Sequence, residues 1–441
     1  MNFFPSLFKV PMTMNVQNDL EMRDSDTDTI ISTVENSELG QEEDKFWGNL
    51  CGLDGNIYGI PFRARKVLKF NPISGAIDFI GPDLGSDAWW KWRGGAMDSK
   101  GVIYCAPFNS DSVLKIDTNN GDVSELDIEL PEYGFGKWAS GALALDGCIY
   151  FSPYEARYIL KFDPENNTLT SVGEDVGACS KFSGTVVGND GCIYGIPSWS
   201  NRIIKFNPRN RVTYFIGGEN AVDVDFQCDG NGVVGRNGHI YAAKRNGEIL
   251  KIDTIKNSYS FVGNAVDSDH LGYGWADAIL GVDGIIYWPP YNANRTLMFN
   301  PETEKSFLVG GDFGKTNFKW SGGAVAPNGA IYCIPCNATK VLVIDPLLEF
   351  IVRLKSRIER KPETLGNIFE KNNEGETVYG NAVAKYGENR VFPVIASILP
   401  PVLEIHDANN LHPFIVAASC PDASALSMIY YLMRKNPSFQ S

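Results

Sequence analysis

A lysine followed directly by a tryptophan or phenylalanine recurs along the chain, and this pair is the sharpest candidate for binding chemistry. The pairs are Lys91-Trp92, Lys137-Trp138, Lys181-Phe182 and Lys319-Trp320, while Trp275 and Phe226 take the aromatic place in two further segments. Aromatic faces beside cations, including Arg93, suit a sugar, a phosphate-bearing ligand or an acidic peptide through stacking and charge-assisted hydrogen bonds. The alternative is that each ring wedges between repeating units while its lysine extends to solvent, and the regular recurrence favours this packing role.

The sequence contains few residues of the types and spacings that catalytic sites use. The four histidines are His239, His270, His406 and His412. A zinc site needs three or four converging ligands, and a lone histidine at a turn, such as His239, is better explained as structural. The motifs Gly-x-Ser-x-Gly and Gly-x-x-x-x-Gly-Lys-Ser/Thr do not occur in the sequence. The sequence therefore leans against an enzyme, and we expect no catalytic residues, no metal and no cofactor.

The elements that position these residues are set by an internal repeat. A tyrosine preceded by isoleucine recurs every 44 to 47 residues, at Tyr58, Tyr104, Tyr150, Tyr194, Tyr241, Tyr287 and Tyr332. Such a fixed period indicates a repeat architecture with one structural unit per period. The seven units account for residues 46–354.

Each unit contains four short apolar segments separated by turn residues. In the fourth unit these segments are 185–187, 192–197, 202–206 and 212–216, with Asn189, Asp190 and Gly191 between the first two. Glycine accepts positive φ angles, and four such strands predict a small antiparallel sheet. Radial packing buries both faces of each sheet. The sequence therefore predicts an all-β protein, a seven-bladed β-propeller of four-stranded blades.

The repeat resembles those of known propeller families. Units such as 54–58 (Asp-Gly-Asn-Ile-Tyr), 67–72 (Val-Leu-Lys-Phe-Asn-Pro) and 74–75 (Ser-Gly) are similar to NHL, quinoprotein-like and streptogramin-lyase-like repeats. The Trp-Asp dipeptide of WD repeats is missing, and the Gly-Gly pair that kelch repeats carry within a strand has counterparts in two units only, at 94–95 and 322–323. The resemblance implies the architecture. Streptogramin-lyase-like proteins would also imply histidine-dependent chemistry, but their motif has no identifiable counterpart here.

In a propeller, the link into each inner strand borders the mouth of the axial channel, beside the loops between the second and third strands. We therefore predict a site for a ligand or partner at this mouth. Its candidate residues are Trp92, Arg93, Trp138, Phe182, Trp275, Trp320, Arg63, Asn109, Tyr154, Trp199, Arg245, Asn292 and Asn337.

The two ends of the chain differ in composition from the repeats. Residues 1–45 are acidic and polar, and we expect a disordered tail there. We expect residues 349–354 to form the fourth strand of the seventh unit, followed by a linker and helical segment over 355–402. Asp407, Pro413, Ala417 and Ala418 match the pattern of an ankyrin repeat, which predicts an ankyrin-like helical unit over 403–437.

Charge and cysteine content suggest a compartment and exclude one class of partner. Lys and Arg number 39 against 53 Asp and Glu, and the net charge of −14 argues against nucleic-acid binding. Cys148 and Cys192 share one repeat position, as do Cys105 and Cys333, which indicates buried thiols in a reducing, cytoplasmic compartment. Cys333 and Cys336 form a lone Cys-x-x-Cys, also better explained as buried thiols.

The sequence as a whole favours a non-catalytic protein-interaction scaffold. We expect a monomer with a protein partner, and neither nucleic acid nor a membrane as partner. The alternative is a small-molecule or sugar-binding propeller with lyase- or hydrolase-type activity at the channel mouth. Convergent, non-repeating polar groups with shifted pKa values in the channel would favour that alternative.

Overall fold

The computed structural model describes most of the repeat region of the 441-residue chain. The described residues are 31–35, 39–40, 42–85, 89–132, 134–177, 181–217, 226–264, 266, 274–346 and 383. Every named element among them is a β-strand, and Ile31–Ile344 forms one compact unit. Among these residues, no helix has the length and apolar character needed to cross a bilayer.

Seven four-stranded antiparallel sheets, the blades, make up the described structure. Strand β1 (Ile31–Glu35) belongs to the last blade and is described with it. Blade 1 contains β2 (Phe46–Cys51), β3 (Ile57–Pro61), β4 (Val67–Phe70) and β5 (Ile77–Ile80). Blade 2 contains β6 (Trp92–Met97), β7 (Val102–Pro107), β8 (Leu114–Asp117) and β9 (Val123–Glu125). Blade 3 contains β10 (Trp138–Leu143), β11 (Ile149–Pro153), β12 (Ile159–Asp163) and β13 (Thr168–Val172).

The remaining four blades follow the same order from the inner to the outer strand. Blade 4 contains β14 (Phe182–Val187), β15 (Ile193–Pro197), β16 (Ile203–Asn207) and β17 (Val212–Ile216). Blade 5 contains β18 (Val233–Val234), β19 (Ile240–Ala243), β20 (Ile249–Asp253) and β21 (Ser258–Val262). Blade 6 contains β22 (Ile279–Leu280), β23 (Ile286–Trp288), β24 (Thr296–Asn300) and β25 (Lys305–Val309). Blade 7 contains β26 (Ala324–Val325), β27 (Ile331–Cys333), β28 (Lys340–Ile344) and β1.

The inner strands form a closed ring around an axis. Each inner strand contacts the inner strand of the next blade, in the order β2, β6, β10, β14, β18, β22 and β26, and β26 contacts β2 again. This arrangement confirms the predicted all-β, seven-bladed propeller of four-stranded blades.

The recurring tyrosine stabilises the turn between the first two strands of a blade. Its ring is buried in all seven blades, and in six of them its hydroxyl bonds to the side chain four residues earlier. The hydroxyl donates to aspartate in Tyr58–Asp54 (2.9 Å), Tyr150–Asp146 (2.8 Å), Tyr194–Asp190 (2.9 Å) and Tyr287–Asp283 (2.8 Å). In two other blades it accepts from asparagine, in Tyr241–Asn237 and Tyr332–Asn328, both at 2.9 Å. Between the two residues lies a glycine at positive φ, such as Gly191 at +76°.

The fourth strand of blade 7 comes from the amino-terminal side of the chain. Strand β1 pairs antiparallel with β28, with Ile31 opposite Ile344 and Glu35 opposite Lys340. The predicted disordered tail over 1–45 is therefore wrong for residues 31–35, and β1 occupies the edge that we expected residues 349–354 to fill. The reason is that Ile31 is buried and Val34 packs on the core, while pairing the two ends of the repeat region covers the exposed edge of β28.

The predictions for the carboxyl-terminal region fall outside the described residues. This applies to residues 349–354 themselves, to the 355–402 segment apart from residue 383, and to the ankyrin-like unit over 403–437. No observation in the described part of the chain supports that unit.

Candidate functional site

One end of the ring carries the links into the inner strands and the loops between second and third strands, and we call this end the mouth face. Main-chain hydrogen bonds join these segments within and between blades. Phe108 N donates to Lys91 O (3.0 Å) within blade 2, and Lys137 N of blade 3 donates to Phe108 O (2.8 Å). The same pattern recurs at Tyr154, which accepts from Lys181 N (2.9 Å). The mouth face is therefore a rigid frame built from every blade in turn.

The periodic aromatic residues of the predicted site are buried between blades. Trp92, Trp138, Phe182, Trp275 and Trp320 are all almost fully buried. Each indole donates to a carbonyl twenty residues further on: Trp92 to Ser112 (2.8 Å), and Trp138 to Tyr158, Trp275 to Arg295 and Trp320 to Lys340 (each 2.9 Å). These contacts match the packing alternative for the five residues, since a ring used in this way is closed to a ligand.

The fifth blade departs from the expected alignment. Cys228, rather than Phe226, forms the backbone bridge equivalent to that of Trp275, pairing with Lys244 where Trp275 pairs with Pro290. Phe226 packs instead against Tyr259, with ring centroids 5.1 Å apart. Cys228 lies thirteen positions before Tyr241, whereas Trp275 lies twelve positions before Tyr287, so the spacing of the other blades does not hold in blade 5.

The lysines that precede the aromatic residues do not extend to solvent as expected. Lys45, Lys91, Lys137, Lys181 and Lys319 are all buried. Their ammonium groups donate to main-chain carbonyls of the neighbouring loops. Lys91, for example, bonds to the carbonyls of Ala64 (2.9 Å), Gly85 (3.1 Å) and Arg63 (3.2 Å). Each lysine thereby fastens the mouth loop of one blade to the link of the next, and burial lowers the pKa of both Lys91 and Lys319 to about 8.

Replacing Lys91 with Met is expected to lower the free energy of unfolding by about 1–3 kcal/mol at pH 7, since buried carbonyls lose their donor. The folded-state pKa of Lys91, about 8, lies below its value of 10.5 in the unfolded chain. At pH values between these two pKa values, the Lys91 side chain binds more protons in the unfolded state than in the folded state. Its contribution therefore raises the free energy of unfolding of the wild type as pH rises. The cost of Lys91→Met therefore grows from pH 8 to pH 10. Urea titrations at each pH measure it. The exposed Lys66→Met serves as control, and a cost that shrinks over this range would contradict the assignment.

The position directly after the periodic aromatic residue differs from blade to blade. In blades 1 to 7 it holds Trp47, Arg93, Ala139, Ser183, Asp229, Ala276 and Ser321. Repeat packing would select similar side chains at every blade. Instead, this layer holds two charged residues, Arg93 and Asp229, each of a type that occurs in one blade only.

Arg93 is the central member of this layer. Its side chain is 7% exposed, and its guanidinium lies over the rings of Trp47 (4.4 Å), Tyr154 (5.1 Å) and Phe108 (5.4 Å). Its Nη2 donates to the main-chain oxygen of Asp229 at 3.2 Å, which spans from blade 2 to blade 5. Its Nε is buried and has no hydrogen-bond partner among the described residues.

Two carboxylates lie in the same region with different roles. Asp229 accepts a bidentate pair of hydrogen bonds from Arg245 and one from Ser198 Oγ (3.3 Å), yet burial raises its pKa. Asp277 accepts from the main-chain N of Asn231 at 2.6 Å, so its carboxylate connects blades 5 and 6. Burial raises the pKa of Asp277 to about 6, against the opposing effects of that hydrogen bond and of the Arg93 charge. We call Arg93, Arg245, Asp229 and Asp277 the axial cluster.

Exposed aromatic residues surround the mouth, and two of them are covered by arginines. Arg63 lies over Trp89 (4.3 Å), which is 61% exposed, and Arg245 lies over Trp199 (4.4 Å), which is 56% exposed. Trp90 is also exposed. We define the rim as Arg63, Trp89, Trp90, Phe135, Trp199 and Arg245. Of the predicted site residues, the rim therefore includes Arg63, Trp199 and Arg245, while Arg93 and Tyr154 lie inside the mouth.

The three predicted asparagines support the frame. Asn109 Oδ1 accepts from Gly136 N (2.6 Å), Asn292 Oδ1 from Phe318 N (2.8 Å), and Asn337 Oδ1 from Asp44 N (2.5 Å). Sequence reasoning also missed functional candidates, namely Trp47, Trp89, Trp90, Asp229 and Asp277. Comparing one repeat position across the seven units would have identified Trp47 and Asp229, because they break the pattern there.

No group of three or more His, Cys, Asp or Glu side chains within the described ranges is arranged to hold a metal ion. The axial cluster mixes arginines with carboxylates that already have hydrogen-bond donors. Its chemistry suits binding of a polar group rather than a cation.

Comparisons with known proteins support the fold. No family model and no curated protein matches the chain. Among solved structures, streptogramin B lyase is 16% identical, with a TM-score of 0.58, covering 71% of this chain and 96% of that chain. A catalytically inactive variant of virginiamycin B lyase from Staphylococcus aureus, solved with quinupristin, is 12% identical, with a TM-score of 0.58 and coverage of 71% and 98%.

A third solved structure belongs to a different kind of protein. It is the extracellular domain of a B. thetaiotaomicron protein assigned to the one-component systems. It is 11% identical, with a TM-score of 0.52, and the match covers 72% of this chain and 42% of that chain. Likeness at this identity shows a shared propeller fold and leaves function to the site itself.

Proposed function

We propose that this protein is a non-catalytic interaction platform whose protein partner docks on the mouth face. The observation that carries the proposal is the rim, where exposed tryptophans lie beneath arginines. Tryptophan and arginine are enriched among the residues that dominate protein–protein binding energy. Because the periodic aromatic residues hold the frame rigid, the main chain of the loops that carry the rim loses little freedom when a partner binds.

The free cysteines support an intracellular setting for this platform. Cys105, Cys148, Cys192, Cys333 and Cys336 are buried free thiols, and Cys51 is a half-buried one. Unpaired thiols persist in reducing compartments. A cytoplasmic location and a monomeric state are part of the proposal.

The experiment that tests this proposal is site-specific photo-crosslinking. A benzophenone amino acid replaces the rim residue Phe135, which is 83% exposed, or, as control, Ile255, which is 87% exposed in a turn at the opposite end of blade 5. The proposal predicts one dominant crosslinked protein from position 135 and none of it from position 255. Equal capture from both positions would overturn the proposal.

Trp199→Ala is expected to weaken binding of the purified captured partner by at least about 30-fold, as for a central aromatic anchor. The melting temperature should stay within about 1 °C, because the ring is half exposed and its loss leaves no cavity. Calorimetric titration measures the affinity, with Ile255→Ala as matched control. Unchanged affinity of Trp199→Ala would place the partner elsewhere.

The axial cluster favours a second candidate, a ligand-binding propeller with lyase- or hydrolase-type activity. Arg93, Asp229 and Asp277 are convergent and non-repeating, and a carboxyl with a pKa of about 6 can exchange a proton near neutral pH. The hydrogen bond of Asp277 to blade 5 gives it a structural role as well, which is why this candidate ranks second. A thermal-shift screen of metabolites would identify ligands, and each ligand would then be incubated with wild type and with Asp277→Asn. Chemical conversion of a ligand by the wild type and not by Asp277→Asn would support this candidate, and binding without conversion would not.

A further inference from the structure

We propose that Arg93 forms a carboxylate-binding subsite inside the mouth. The guanidinium would bind an acidic group between the aromatic rings of Trp47, Phe108 and Tyr154. The proposal deepens the proposed function and rests on it in one respect, since a partner docked on the rim would be one source of the carboxylate. A small organic acid is the other source, and the chemistry recognised is the same.

The Arg93 charge has an incomplete environment. The side chain is more than nine-tenths buried, yet among the described residues it forms no ion pair within 4.0 Å. It makes a single hydrogen bond to a main-chain carbonyl, and its buried Nε has no acceptor. Burying a charge without a hydrogen-bonded counter-ion is unfavourable, so this guanidinium is set up for an anion that completes it.

The neighbouring carboxylates do not fill this role. Asp229 already receives two hydrogen bonds from Arg245, and only its main-chain oxygen meets Arg93. Asp277 accepts from Asn231 and is not within ion-pair distance of Arg93. With both carboxylates ionised the axial cluster has no net charge, so a singly charged anion is tolerated better than a doubly charged one.

The shape of the surroundings selects the kind of anion. Three aromatic rings lie within 5.4 Å of the guanidinium centre, and Trp47 also packs edge-on against Tyr291 at 5.3 Å. Flat walls of this kind suit a planar carboxylate on an apolar stem, and a guanidinium matches a carboxylate in two parallel hydrogen bonds.

Tyr291 supplies a second donor. Its side chain is buried, and its hydroxyl makes no hydrogen bond with another described residue. Its ring packs on Trp47 at 5.3 Å, and Arg93 lies over the same Trp47 ring at 4.4 Å. A carboxylate on Arg93 can therefore accept from this phenol as well. The assignment makes Tyr291→Phe a mild variant, because the ring that packs on Trp47 and Phe318 is retained.

The test is calorimetric titration of the full chain with defined probes at pH 7. The probes are phenylacetate, its neutral analogue phenylacetamide, inorganic phosphate, and the tripeptide Gly-Gly-Phe with a free or an amidated carboxyl terminus. We expect saturable binding of phenylacetate or of the free-acid peptide, and at least tenfold weaker binding of the amides and of phosphate. Tighter binding of the peptide would indicate a protein source for the carboxylate, and tighter binding of phenylacetate a small acid.

Two variants assign the binding to the subsite. Arg93→Lys keeps the charge but loses the planar fork, and we expect at least a tenfold loss of affinity for the acid probes. Tyr291→Phe should lose about fivefold and serves if Arg93→Lys does not fold. The subsite is overturned if the wild type shows no saturable binding of the acid probes. It is also overturned if both variants bind these probes with the affinity of the wild type. Such a failure leaves the Trp199→Ala result on the partner intact, so the two proposals fail separately.

Discussion

Deleting residues 1–35 lowers the melting temperature by on the order of 10 °C relative to deleting residues 1–30. The five residues that separate the truncations form β1, which pairs along its whole length with β28. Loss of the buried Ile31 side chain alone is worth about 2–5 kcal/mol, and the β28 ladder loses its outer partner as well. Scanning calorimetry of the two truncations measures the difference.

The uncovered edge has a second consequence. Without β1, the edge of β28 presents unpaired main-chain groups, which promote pairing between molecules. The longer truncation should therefore shift to larger species in size-exclusion chromatography as its concentration rises, whereas the shorter one should not. Identical melting temperatures and elution volumes would show that β1 does not close the ring.

Trp138→Ala lowers the free energy of unfolding by about 3–5 kcal/mol while leaving the rim unchanged. The ring is fully buried between blades 2 and 3, beside Tyr104 and Ala106 of blade 2. The substitution leaves a cavity and removes the donor to Tyr158 O (2.9 Å). Urea denaturation measures the loss, and the affinity for the captured partner should be unchanged at temperatures where the variant is folded.

Two control variants separate packing from binding. Trp138→Phe, which keeps much of the ring volume, should lose less stability than Trp138→Ala. Trp199→Ala should show the opposite profile, with stability within about 0.5 kcal/mol of wild type and weak partner binding. A small stability loss in Trp138→Ala combined with lost binding would instead assign Trp138 to the binding surface.

The repeat architecture was predictable because the residues that specify each turn and its two strands lie close together in the sequence of every unit. The buried Ile-Tyr pair, the positive-φ glycine and the hydrogen bond from tyrosine to the residue four positions earlier occur together, as at Asp54 and Tyr58. Each such set specifies one turn and its two strands without information from distant residues. The chain contains seven buried Ile-Tyr pairs with their turn glycines, six of them with this hydrogen bond, and these specify seven blades.

Features that depend on distant residues were not predictable in this way. The pairing of Ile31 with Ile344 joins segments more than three hundred residues apart, and the short segment 31–35 lies in an acidic stretch that composition assigns to a tail. Likewise, the contact of Arg93 with Asp229 O exists only because blades 2 and 5 face each other across the channel. Burial of Lys91 depends on carbonyls of the preceding blade, whereas sequence alone suggested a solvated lysine.

The most direct test of the mouth face as the docking surface is hydrogen–deuterium exchange of the protein with and without its captured partner. If the partner docks at the mouth face, protection on binding will be confined to the links before the inner strands and to the loops at 62–66, 108–113, 154–158, 198–202 and 244–248. The turns at the opposite end of the blades, such as 54–56, 71–76 and 254–257, should exchange at unchanged rates. Protection centred on those turns, with none at the mouth loops, would contradict docking at the mouth face.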